Sequence, residues 1–106
     1  MESANLYKPI PDNLDEEIFE LLAQGENVTI ERIISNGHTS PATGWYDQAQ
    51  NEWVLVLKGS ASISFENGQV VDLREGDYLN ILSHQKHKVI RTSAATETIW
   101  LAIHYR

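Results

Sequence analysis

The stretch Glu52-Trp53-Val54-Leu55-Val56-Leu57-Lys58-Gly59-Ser60-Ala61-Ser62-Ile63-Ser64-Phe65-Glu66-Asn67-Gly68 decides the fold class. Its first half is too apolar for a half-exposed strand and reads as a buried one. Lys58-Gly59 turns the chain. From Ser60 onward Ala61, Ile63 and Phe65 alternate with Ser60, Ser62 and Ser64, a period of two. Asn67-Gly68 is the strongest short hairpin signal and predicts a type I′ turn with positive φ at both central residues. The same pattern continues on both sides. Upstream, Val28–Ile34 reads as a strand, followed by the polar loop Ser35–Gly44. Downstream, Val70–Leu73, Tyr78–Leu82, His87–Thr92 and Thr98–Tyr105 read as strands, with Arg74-Glu75-Gly76-Asp77 and Ser93–Thr96 between them. About eight short strands with regularly spaced turns predict an all-β sandwich or small barrel.

Before Gly25 the period reads differently. Leu14, Ile18, Leu21 and Leu22 follow the i, i+4, i+7, i+8 rhythm of a helix over 13–24. Asn13 or Asp12 can cap it, Glu16 holds the capping-box position, and Asp15, Glu16 and Glu17 load the first turn. Gly25 would stop it. The expected division is an N-terminal arm and helix over 1–27, packed on a barrel over 28–106.

The chain has 106 residues, a length for one domain. It contains no cysteine, which excludes disulfide frameworks, thiolate nucleophiles and cysteine metal sites. Fifteen acidic against eight basic side chains give a net charge of −7, which argues against nucleic acid as a partner. The start Met1-Glu2-Ser3-Ala4-Asn5 lacks the basic and apolar regions of a signal peptide, and no stretch reaches the ~20 apolar residues of a membrane span. A cytoplasmic protein is expected. Nucleophile-elbow, P-loop and Rossmann sequences are absent, and no organic cofactor is implied.

From Gly44 to His87 the chain resembles the cupin family of antiparallel jelly-roll barrels, which often hold a metal inside. The family's first motif is His-x-His, then Glu, then six residues and Gly; Glu52 to Gly59 reproduces the Glu, the spacer and the Gly. The second opens with Gly-Asp, here Gly76-Asp77, and closes on a His, here His87. Leu82 stands where Pro is usual and His84 where Gly is usual. The His-x-His positions fall on Tyr46 and Gln48.

Residues 46, 48 and 52 differ by even numbers, so on one continuous strand all three point inward. The resemblance then implies a pocket of Tyr46, Gln48, Glu52 and His87, in which a divalent transition metal (zinc, iron, nickel or manganese) takes Glu52 and His87 as its surest ligands, with Gln48 third and Tyr46 or a water completing the shell. Without a metal, Glu52 and His87 form a buried polar pair able to serve as general base and acid. His38, His84, Trp100 and His104 are further candidates to line the pocket. The resemblance implies oxygenase, isomerase or decarboxylase chemistry on a small polar metabolite, or a non-catalytic barrel that binds a small ligand or metal. Trp45 and Trp53 lie on the opposite parity, which predicts burial beneath the N-terminal helix or in a homodimer contact.

Overall fold

In the computed structural model, which describes residues 1–106, the alternating stretches become eight strands: β1 (Ile18–Gly25), β2 (Val28–Ser35), β3 (Asn51–Lys58), β4 (Ser60–Phe65), β5 (Val70–Arg74), β6 (Tyr78–Ile81), β7 (His87–Thr92) and β8 (Thr98–Tyr105). All pairings are antiparallel. One sheet has the order β1-β2-β8-β3-β6 and the other β5-β4-β7. The two pack face to face as a jelly-roll barrel. Val54, Val56 and Trp100 from the larger sheet meet Ala61, Ile63 and Phe65 from the smaller, and these residues form the centre of the core.

The turn after Lys58 shows why glycine stands there. Gly59 has φ 87°, and a Cβ on it would lie 2.5 Å from Thr98 Oγ1 and 2.9 Å from Thr98 Cα. Both the conformation and the close approach of β8 require the missing side chain. The 65–69 hairpin departs from the type I′ expectation. Gly68 alone has positive φ, at 96°, and its N–H donates to the Phe65 carbonyl at 2.9 Å. This is a type I turn closed by a left-handed glycine, in which Asn67 serves by accepting the Gln69 N–H on its side chain.

The expected helix over 13–24 is not formed; Ile18–Gly25 is a strand at the edge of the larger sheet. Its pairing with β2 runs in register to Leu21↔Glu31 and resumes at Ala23↔Ile30, which leaves Leu22 as a bulge. The bulge shifts the alternation by one residue, so apolar positions 18, 21 and 22 imitate a helical rhythm. Glu20 lies opposite Arg32 and pairs with its buried guanidinium at 2.6 Å. Asn13 caps only a local turn, accepting the Asp15 N–H. Gly25 and Val28 instead close a hairpin around Glu26-Asn27, with Asn27 at φ 62°. The segment before β1 wraps the barrel through Leu6, whose carbonyl accepts from Arg32, and Tyr7, whose hydroxyl donates to the Leu57 carbonyl. Trp53 faces away from the cavity, beside Tyr78 at a ring separation of 5.4 Å. No helix is long and apolar enough to cross a membrane.

Candidate functional site

A cavity of about 220 Å³ opens between the two sheets. Strand alternation fills its wall. On β3, Glu52 and Val54 point inward; on β8, Trp100 and His104 do; on β2, Glu31 and Ile33 do. The β3–β8 register sets Glu52 directly opposite His104, and the β2–β8 register sets Glu31 opposite Ala102, one diagonal step from His104. The other sheet contributes His87, Val89 and Ile63. Charged and apolar residues therefore face each other by pairing alone.

Glu52 is the hub. The Gln48 amide donates to Oε1 at 3.2 Å, and Nε2 of His87 lies 3.5 Å from the same oxygen. Nε2 of His104 lies 3.6 Å from Oε2 and 3.1 Å from Glu31 Oε1. His87 donates from Nδ1 to the Gln85 carbonyl at 2.9 Å, so Nε2 is the nitrogen presented to Glu52. Burial pushes the Glu52 carboxyl up, but the His87 hydrogen bond, the charges of His104 and His87 and the Gln48 amide outweigh it and hold the group below its ordinary value. For His87 burial acts downward, and the Glu52 hydrogen bond, the Gln85 carbonyl and the Glu52 charge together raise it. Each group therefore favours the charged form of the other.

Tyr46, Gln48, Glu52 and His87 all line the cavity, as expected, but not from one continuous strand. Tyr46 forms an isolated antiparallel bridge to His87, with hydrogen bonds of 2.8 and 3.1 Å, and so sits beside β7 of the smaller sheet. The chain then crosses to the larger sheet before β3 begins at Asn51. Tyr46 is half-exposed at the mouth, its ring 5.8 Å from the His87 ring. Trp100 and His104 also line the cavity, whereas His38 and His84 do not. His38 accepts the Asn36 N–H on Nδ1 and donates from Nε2 to the Asp15 carbonyl, pinning the N-terminal segment. His84 adopts φ 60° at the position where the family has glycine. Its N–H donates to the Gln48 carbonyl at 2.7 Å and its Nδ1 meets Asp47 at 2.6 Å, so it points out of the barrel and ties down the 46–48 segment.

Glu31 and Glu17 are cavity residues that the sequence reading missed. The one signal for Glu31 was its parity with Ile33 on a strand. Glu17 accepts a short hydrogen bond from Ser35 Oγ, which in turn accepts the Trp100 indole N–H at 3.2 Å. Nothing local in the sequence foretells that chain.

No group of three or more His, Cys, Asp or Glu side chains is arranged to hold a metal ion. The chemistry of the donors agrees. The two imidazoles address opposite oxygens of Glu52 rather than a common point, and Gln48 and Tyr46 are weak donors. As arranged, these residues do not fit a resident transition metal.

Residues 22–104 match the Cupin domain family. A solved structure from Ralstonia eutropha JMP134, provisionally named mannose-6-phosphate isomerase, is 40% identical over 99% of this chain and 98% of its own, with a TM-score of 0.93. A cupin superfamily protein from Desulfitobacterium hafniense DCB-2 shares 23% identity over 91% of this chain and 83% of its own, with a TM-score of 0.73. The structure of FeII HppE, 15% identical, superposes with a TM-score of 0.72 over 92% of this chain and 54% of its own, a likeness of fold alone. A search of curated proteins finds no match. The motif residues Glu52, Gly59, Gly76 and His87, the two-sheet barrel and the family match over most of the chain agree: this protein belongs to the cupin family.

Proposed function

We propose that the barrel binds a small polar metabolite and moves a proton on it, with Glu52 as base and His87 as acid. One observation carries this: within a single cavity the Glu52 carboxyl and the His87 imidazole stand 3.5 Å apart, each favouring the charged form of the other. Environments that push two titratable groups apart assign the acid and the base. Isomerisation is the simplest reaction such a pair supports, and the 40%-identical protein from Ralstonia eutropha bears an isomerase's name. A phosphate group on the substrate is not part of the proposal, because no Lys or Arg lines the cavity. Divalent metals are common in cupins, but Glu52 and His87 serve here through their proton.

The test is solvent exchange. Protein in D2O is incubated with mannose, glucosamine or mannose 6-phosphate, and carbon-bound deuterium is read by mass spectrometry. Incorporation into an unphosphorylated probe, lost in Glu52→Gln and in His87→Gln, is the expected result. Probes that bind in the cavity without exchange, across a wider panel of sugars and amines, would make this a non-catalytic binding barrel.

A further inference from the structure

The charge of the cavity wall is one-sided. Three carboxylates line it, from Glu17, Glu31 and Glu52, and none of the chain's eight Lys and Arg residues does. Protonating both imidazoles, His87 and His104, would still leave one excess negative charge. Arg32 projects away to Glu20, and Lys88 lies over the Trp45 ring at 4.4 Å. Two of the three carboxylates keep an oxygen that no protein group engages: Glu17 meets Ser35 through Oε2, and Glu31 meets His104 through Oε1. The rest of the lining is largely apolar: Ile33 and Trp100 stand on the same sheet as Glu31, and Ile63 and Val89 face them from the other.

We infer that the ligand is a small organic ammonium, a cationic nitrogen on a compact apolar body, with the nitrogen beside Glu31 and the body against Ile63 and Trp100, while Glu17 adds its negative charge from farther along the wall. An ammonium supplies the hydrogen-bond donors that the free carboxylate oxygens lack and offsets their charge in a half-buried medium. A phosphate ester in the same volume would set like charges against each other with no fixed cation to compensate. This inference rests on the reading that the cavity binds a small metabolite, and it narrows that metabolite to a charge class.

Three probes that share a benzyl body separate the two readings: benzylamine, benzyl alcohol and benzyl phosphate, titrated into the whole protein. The reporter is the Trp100 indole N–H, which hydrogen-bonds to Ser35 at the cavity wall and is visible by NMR. Benzylamine is expected to shift this signal and bind about tenfold more tightly than benzyl alcohol, with benzyl phosphate weakest. In Glu31→Gln the amine should lose most of that preference while the alcohol is unaffected; Glu17→Gln should act in the same direction. Equal binding of amine and alcohol, or tighter binding of the phosphate, would overturn the cationic ligand and leave the cavity a ligand site. Failure of all three to shift the Trp100 signal would overturn both readings together.

Discussion

At the scale of single residues, the Glu52–His87 pair fixes a pH window. Glu52 lies below its ordinary 4.5, so its contribution to stability is present above that pH and is lost as pH falls through the lowered folded value. His87 lies above its ordinary 6.5, so its contribution is present below that pH and is lost as pH rises through the raised folded value. Stability from the pair should therefore peak between about pH 4.5 and 6.5. His87→Gln should cost about 1–3 kcal/mol near pH 6, since it leaves a buried carboxylate with a poorer partner. Urea melts across pH 4 to 9 check this: the variant should lose the decline on the alkaline side. His84 makes a second residue-level case. Its φ of 60° is tolerable because Gln48 and Asp47 hold it. His84→Val should cost about 1–3 kcal/mol in the same assay, because a β-branched residue resists that conformation and cannot bond Asp47.

Elements carry predictions of their own. Gly59 and Gly68, both left-handed, differ in surroundings: a Cβ at Gly59 collides with Thr98, while one at Gly68 meets nothing within 4 Å. Gly68→Ala should cost only the conformational strain, about 1 kcal/mol. Gly59→Ala adds displacement of the β8 backbone and should lower the melting temperature further than Gly68→Ala, as differential scanning fluorimetry can show. The β1–β2 pairing makes a separate claim. Arg32 is buried, with Glu20 and the Leu6 carbonyl as its partners, so Glu20→Ala should destabilise by about 1–3 kcal/mol. If residues 13–24 were a solvated helix, the same change would be nearly silent. Its outcome therefore tests β1 as a strand.

For the whole molecule, the prediction concerns metal. Cavity donors that divide around Glu52 should not gain from a divalent ion as a converged site does, since a metal that binds only the folded form raises stability by mass action. Protein stripped with EDTA and protein given manganese, zinc or iron(II) should melt within a degree or so of each other. A rise of several degrees with one metal, abolished by Glu52→Gln, would show that the ion gathers these side chains around itself.

Much of this was legible along the chain. Seven of the eight strands, β2 to β8, follow from alternation and turn chemistry, because sheet pairing needs a period of two and the turns need Gly, Asn and Asp at fixed places. Glu52 and His87 stood out through motif spacing, and His104 as a further candidate on the last strand. Other features depended on contact between segments far apart in sequence. The Leu22 bulge arises only when β1 pairs with β2, and until then positions 14 to 22 carry a helical rhythm. His84 and His38 have the chemistry of ligands, yet Asp47 and the Asp15 carbonyl claim them outside the cavity. Glu17 reaches the cavity through Ser35 and Trp100, which lies 65 positions beyond Ser35. Local sequence determines which residues alternate and where the chain turns. Which charges share a cavity is set by strand register and bulges, because pairing across the barrel decides what each inward side chain meets.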